Sequence, residues 1–272
     1  MKVSLIVAVY KNVESLRLII KTLKDQTYKN FEVIIVEDGN SSKMKEYIET
    51  IQDLDIKHTT QEDLGVQKAR SQNNGLLAST GEYLIFIDGD CILYSTFIEG
   101  HVSLAEEGSV LSGRRLNLPK SVTEKILNNE VNPFDIEKNL LTKYLYLAFD
   151  KETRFEQGIY LNPKGLIYKT FIKQKQRNTS ILGCNFSCWK KDMMTINGFD
   201  ESYGETAVSD DMDLDWRFRA YGLKLKSCKN VANMFHLWHK AHDRGDATKQ
   251  VALMRERELK GEYICELGIN TH

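Results

Sequence analysis

Short, almost wholly apolar runs alternate with amphipathic ones through the first part of the chain. Val3 to Val9 and Phe31 to Val36 have the continuous hydrophobicity of strands buried on both faces. Between them Leu16, Ile19, Ile20 and Leu23 recur at helical spacing. The alternation continues with a helix near Lys43 to Ile51, a strand near Ile56 to Thr60, a helix near Val66 to Ala78 and the run Tyr83-Leu84-Ile85-Phe86-Ile87. Strand and helix in rotation predict right-handed crossovers and an α/β architecture, a mainly parallel sheet flanked by helices.

The pattern breaks after Ser109-Val110-Leu111-Ser112-Gly113. All three prolines, Pro119, Pro133 and Pro163, fall between Arg114 and Asn178 in a segment rich in Lys, Tyr and Asn, which reads as a partly helical insertion laid over the sheet. Order resumes with Ile181 to Trp189, a helix from about Met212 to Tyr221, a strand near Leu223 to Cys228 and a charged helix from about Ala247 to Cys265. The expected organisation is a single domain with a ligand-binding half over 1–113, an insertion over 114–180, a second half of the site over 181–243 and a C-terminal helical tail over 244–272.

With 272 residues the chain can bury one large core or two modest ones. A net charge of −1, from 37 basic and 38 acidic residues, gives no reason to expect a polyanion, and so no nucleic acid, recognised by bulk charge. Cys91, Cys184, Cys188, Cys228 and Cys265 are odd in number and scattered, as expected of reduced thiols in a cytoplasm, and Cys184 with Cys188 lacks the second ligand pair of a zinc site. The start enters a strand pattern at once, leaving no room for a signal peptide, and no apolar run approaches a membrane span, so a cytoplasmic location is expected.

Candidate chemistry gathers at predicted strand ends. Asp88-Gly89-Asp90 follows a buried strand, where open α/β sheets bind ligands, and two carboxylates one glycine apart suit a hard cation with phosphates. Asp38, in Glu37-Asp38-Gly39-Asn40, ends the second strand in the same way, although one acid there can equally cap the next helix. Arg70 opens the helix before the Asp88 strand and could reach a diphosphate from that edge with its planar donors, or lie on the surface. Asp210-Asp211-Met212-Asp213 comes late, at a helix start where acids also favour the dipole. It is preceded by Gly183-Cys184-Asn185-Phe186-Ser187 and Gly198-Phe199-Asp200-Glu201, and followed by His236-Leu237-Trp238-His239.

Together these stretches resemble family 2 glycosyltransferases of the GT-A fold, from Val3 to about His239 and excluding most of the insertion. The resemblance implies an inverting transferase that uses a nucleoside diphosphate sugar. It implies that Ala8, Tyr10, Asp38, Arg70 and Asp88 lie at the nucleotide, that Asp90 and Asp88 with His236 hold Mn²⁺ or Mg²⁺, and that Gly183, Asn185 and Glu201 face the sugar or acceptor. Asp211 is then the general base, with Asp210 the second candidate because the spacing around Tyr203-Gly204 departs from the family pattern. Glu37 and Asn40 replace commoner residues, and Ala8 stands where the family often has proline. Uridine is favoured because Asp38 matches a uracil-binding position. A saccharide or lipid-linked acceptor in surface polysaccharide, lipopolysaccharide or capsule synthesis follows from the family.

A nucleotidyltransferase or a dinucleotide-dependent dehydrogenase would want a glycine-rich loop after the first strand, and Val9-Tyr10-Lys11-Asn12 has none. A glycoside hydrolase needs two carboxylates straddling a glycosidic bond but no metal-diphosphate site. A noncatalytic nucleotide-sugar binding module would not need Asp88, Asp90 and Asp211 together. The mixture of lysines and apolar residues over 160–177 suggests either a solvated lid or peripheral contact with the inner face of an anionic membrane.

Overall fold

The longest apolar runs of the N-terminal half lie side by side. The computed structural model, which describes residues 1–173, 175–204, 206, 208, 211–240 and 246–272, begins with β1 (Val3–Val9), α1 (Val13–Lys24), β2 (Phe31–Glu37), α2 (Ser42–Glu49), β3 (Ile56–Thr60), α3 (Lys68–Ala78) and β4 (Tyr83–Asp88). β1 lies between β2 and β4, parallel to both, and β3 extends the sheet beyond β2. Helices cover both faces, which is why these strands are apolar throughout rather than alternating. Val3, Leu5 and Val7 pack on Leu16, Ile19 and Leu23 of α1, while Ile6, Ile34 and Val36 pack on Leu76 of α3. α1 starts where the Asn12 side chain accepts from the Ser15 amide at 3.0 Å, and Glu14 at its start with Lys21 and Lys24 at its end suit the helix dipole.

The chain continues through β5 (Cys91–Leu93), α4 (Phe97–Leu104), β6 (Ser109–Ser112), β7 (Leu116–Asn117), α5 (Lys120–Leu127), α6 (Pro133–Asn139), β8 (Asn185–Trp189), α7 (Lys190–Thr195), α8 (Met212–Ala220), β9 (Lys224–Ser227), β10 (Met234–His236) and α9 (Thr248–Lys260). The large sheet has the order β3-β2-β1-β4-β8-β6-β9, with β8 antiparallel to β4 and β6 and β9 parallel to β6. It is the mainly parallel, helix-flanked sheet that the pattern predicts.

Three sequence expectations are corrected. α3 begins at Lys68 rather than Val66. α9 stops at Lys260, because Gly261 turns the backbone into the left-handed region at φ 70°; Cys265 lies beyond the helix and packs beneath Arg217. The insertion is not merely laid over the sheet: β7 pairs with β10 and β10 with β5 in a second, three-stranded sheet. Leu116, Val122, Ile126 and Ile136 from the insertion share a third core there with Ile92 and Phe235.

A buried carboxylate tests the sheet's interior. Glu32 of β2 is buried, accepts from Ser4 Oγ at 2.6 Å and the Thr80 and Gly81 amides at 2.6 and 3.1 Å, and has Lys57 Nζ at 2.9 Å. Burial opposes its charge, but these donors outweigh burial and hold the carboxyl well below the ordinary glutamate value of 4.5. A lowered folded-state pKa stabilises the fold above the unfolded value, and that contribution is lost as pH falls toward the folded value. Glu32→Gln is expected to cost about 2 kcal/mol at pH 7. It should also flatten the decline in stability below about pH 4.5, as read by urea unfolding at pH 7 and pH 3.

Candidate active site

The register of β1 sets Ala8 opposite Val36 of β2 on one side and Asp88 of β4 on the other. The residues that follow, Asp38 and Asp88-Gly89-Asp90, therefore leave the sheet at one edge. Gly89 passes so close to β1 that a Cβ would sit 2.8 Å from the Ala8 carbonyl oxygen, which is why glycine separates the two acids. Asp38 is buried, accepting from Gln61 Nε2 and the Gln67 amide at 2.7 Å each. Burial raises its pKa, against the pull of those two donors. The next residue, Lys68, places Nζ 2.6 Å from Asp88 Oδ1, so consecutive residues at the start of α3 join the two strand ends. Beside Asp38, Lys11, Ser41, Gln61 and Asp63 line a hollow of about 490 Å³. The Tyr10 hydroxyl accepts from Lys11 there, and Lys11 pairs with Asp63 at 2.6 Å.

The small sheet builds the rest. In it His236 pairs with Cys91, the residue after Asp90, and with Asn117; the Leu237 amide donates to the Asp90 carbonyl at 2.9 Å. His236 and His239 then reach the same carboxylate oxygen, Asp90 Oδ2, from Nε2 at 3.2 and 3.1 Å. Burial works against the Asp90 charge, yet the two imidazoles hold it far below the usual carboxylate range, and the bond to Asp90 raises His239. Ligand atoms of Asp90, His236 and His239 all lie within 4.8 Å of one another. One hard oxygen donor with two imidazoles fits a divalent transition ion such as Mn²⁺. These residues, with Asp88 and Arg115, line a cleft of about 510 Å³.

Not every residue expected here arrives. Arg70 is exposed on α3, and Lys68 is the basic residue that reaches Asp88. Asn185 is fully buried: its Oδ1 meets His101 Nε2 at 3.0 Å and its amide donates to the Arg114 and Ala232 carbonyls. Ser187, on the same strand face, binds His101 Nδ1 at 2.8 Å; burial pushes that imidazole down to about 3, so it stays neutral. The Asn-x-Ser pair thus clamps a core histidine instead of facing a sugar. Glu201 accepts from Asn73 Nδ2 at 2.7 Å and pairs with His272, and it is not part of the cleft lining. Gly183 donates its amide to Asp211 Oδ1, and Cys184 beside it contacts Arg115 of the cleft at 3.2 Å. Asp210 lies outside the described residues.

Lys68, Arg115 and His239 are site residues that the sequence expectations omit. His239 had a signal, the His-x-x-His spacing; Lys68 had only its position two residues before Arg70.

Comparison with known proteins identifies the family and agrees with the fold. Residues 4–188 match the model of glycosyl transferase family 2, and residues 168–240 match that of the N-terminal domain of galactosyltransferase. The chain belongs to glycosyl transferase family 2, with a GT-A fold. It is 24% identical over 216 residues to a GalNAc(5)-diNAcBac-PP-undecaprenol beta-1,3-glucosyltransferase of Campylobacter jejuni, covering 74% of this chain and 70% of that one. It is 32% identical over 111 residues to an uncharacterized glycosyltransferase of Rickettsia conorii, covering 40% of this chain and 18% of that one. The chain spans less than a fifth of the length of the first curated relatives it matches. Among solved structures, Staphylococcus aureus TarS 1–349 with UDP superposes with a TM-score of 0.61 at 16% identity, over 100% of this chain and 68% of that one. The mannosyltransferase PcManGT of Pyrobaculum calidifontis, in complex with GDP-Man and Mn2+, gives 0.56 at 16%, over 96% and 62%.

If Asp90 and the two imidazoles hold a metal, Mn²⁺ should raise the Tm of the wild-type chain in a concentration-dependent way. Asp90→Ala should abolish that rise, and His239→Ala should weaken Mn²⁺ affinity by about 10- to 100-fold. An unchanged Mn²⁺ isotherm in His239→Ala would remove His239 from the set.

Proposed function

We propose that the chain is an inverting glycosyltransferase that moves a sugar from a nucleoside diphosphate sugar, with uridine as the base, to a hydroxyl of a saccharide or lipid-linked acceptor in surface polysaccharide synthesis. The observation that carries this reading is the meeting of Asp38, the Lys68–Asp88 pair and the Asp90-His236-His239 cluster at one sheet edge. Asp38 and the hollow beside Tyr10 and Gln61 take the nucleoside, and Lys68 and Arg115 face the diphosphate as cationic donors. Asp90, His236 and His239, with Asp88 beside them, would hold a divalent cation, which when bound would supply Lewis-acid stabilisation of the charge growing on the leaving diphosphate.

Asp211 takes the proton. The acceptor oxygen attacks the anomeric carbon from the face opposite the diphosphate; that C–O bond forms as the bond to the phosphate oxygen breaks, the proton passes to the Asp211 carboxylate, and the anomeric centre inverts. The Gly183 amide orients Asp211 by binding Oδ1. Support for the donor class comes from TarS, solved with UDP and with UDP-GlcNAc, and for a lipid-linked acceptor from the name of the Campylobacter enzyme. The expected result is Mn²⁺-dependent release of nucleoside diphosphate from one member of a nucleotide-sugar panel, lost in Asp90→Ala. Asp211→Asn should lower kcat by about 10²- to 10⁴-fold with donor KM within a few-fold of wild type. Pyrophosphate release would instead indicate nucleotidyl transfer, and donor binding without turnover a binding module.

The segment over 160–177 adds a membrane contact. Leu166, Ile167 and Phe171 are 79%, 63% and 71% exposed along one short segment, with Lys164, Lys169, Lys173 and Lys175 also exposed around them. Apolar side chains ringed by lysines suit an anionic lipid surface. No described helix is long and apolar enough to cross a membrane. The chain should float with vesicles containing phosphatidylglycerol and not with phosphatidylcholine alone, and Phe171→Asp should reduce flotation at least fivefold; equal flotation of the variant ends this part of the proposal.

A further inference from the structure

The cleft that holds Asp90 has a wall that neither the donor nor the metal uses. Trp238 lines it with 42% of its surface exposed, its amide tied to Thr123 Oγ1 at 2.9 Å and Lys120 Nζ 5.1 Å from its ring centroid. The insertion brings Asp150, Glu152 and Thr153 to the same cleft, held because Asn117 donates its amide to the Thr153 carbonyl at 3.0 Å and its side chain to the Glu152 carbonyl at 2.9 Å. Thr153 is only 1% exposed, yet its hydroxyl has no hydrogen-bond partner among the described residues, and neither has Asn117 Oδ1. Buried polar atoms are nearly always partnered, so two orphans in adjoining residues of one cleft wall mark where a ligand's polar groups belong.

We infer that this wall is the acceptor subsite, and that it selects a neutral or amino sugar ring over an acidic one. The inference rests on the transferase reading and adds to it the class of acceptor. An exposed indole offers an apolar face to the C–H face of a pyranose. Asp150 and Glu152, which only accept hydrogen bonds, suit neighbouring sugar hydroxyls or an ammonium, while the Thr153 hydroxyl and Asn117 Oδ1 complete the polar set. The same carboxylates repel a uronic acid or a phosphorylated sugar, and they also exclude the donor's diphosphate, which belongs with Lys68 and Arg115.

Saturation-transfer NMR on the full chain, with Mg²⁺ and with or without UDP, tests this using methyl β-glycosides of glucose, galactose, N-acetylglucosamine and glucuronic acid. At least one neutral glycoside should receive saturation through its ring C–H protons, and the glucuronide none. Trp238→Ala should weaken that binding at least tenfold, and Thr153→Val about threefold. The double variant Asp150→Asn, Glu152→Gln should weaken neutral binding about fivefold while allowing the glucuronide to bind, a gain that a merely structural role would not produce. Three results overturn the subsite: a glucuronide bound by wild type as well as the neutral sugars, no neutral glycoside bound at all, or unchanged binding in Trp238→Ala. Nucleotide release is measured on the same preparation. Release without glycoside binding removes the subsite and leaves the transferase reading standing, whereas glycoside binding without release counts against the transferase reading.

Discussion

The placement of β1 between two parallel neighbours is the constraint from which the site follows. Because β2 and β4 both run with β1 and in register with it, Asp38 and Asp88 must emerge at the same edge, separated by the width of one strand. Carboxylates withdrawn from water at that edge need counter-charge or hydrogen bonds. The start of α3 supplies both at once, the Gln67 amide to one and the Lys68 ammonium to the other. The crossover helix is therefore part of the site as well as a cover for the sheet. A shift in β1 register would misplace the acids and the helix that pairs them.

The large sheet alone gives only half of the chemistry. Asp90 meets its imidazole partners because β5 leaves the Asp88-Gly89-Asp90 turn and pairs at once with β10, which carries His236. That second sheet is small, and strands of two or three residues are not stable alone. They persist because the insertion packs helices α5 and α6 onto them in a separate core. The insertion and the Asp90-His236-His239 cluster are thus one construction: the segment that interrupts the strand-helix pattern holds the histidines against the carboxylate.

How much of this the sequence discloses depends on length and period. β1, β2 and β4 are long and apolar enough to be read directly, and with them the strand-end positions of Asp38, Asp88 and Asp90. β5, β7 and β10 are too short to show any alternation, so the apolar pattern of the sequence carries no sign of the convergence of Asp90, Asn117 and His236. Arg70 and Lys68 illustrate the limit within a helix. Two residues of advance turn the helix by about 200°, enough to send one side chain to the strand end and the other to solvent, and a boundary uncertain by two residues cannot tell which. Asn185 illustrates it within a strand, where residues two apart share a face: that parity puts Asn185 and Ser187 on the same buried histidine, a use that the motif alone does not reveal.

The late acidic run divides along similar lines. Asp213 is buried and fully engaged, accepting from Tyr203 Oη at 2.9 Å, Trp216 Nε1 at 3.0 Å and Arg217 Nη1 at 3.0 Å, while Arg217 also donates to the Gly198 and Tyr263 carbonyls. Removing one member of such a pair would strand the other in the core, so Asp213 and Arg217 act as an anchor for the first turn of α8. Asp215 accepts from the Ile181 amide at 2.9 Å, and Asp211 from the Gly183 amide. Carboxylates that as a bare sequence run would suit a solvated face or a helix dipole instead pin the segment entering β8. Asp211 and Asp215 are partly exposed members of this group, and the buried anchor two residues beyond Asp211 limits where its carboxylate can go. On the proposed transferase reading, a carboxylate held in that way would lose little freedom when an acceptor hydroxyl arrives, the condition under which proton transfer contributes most to rate.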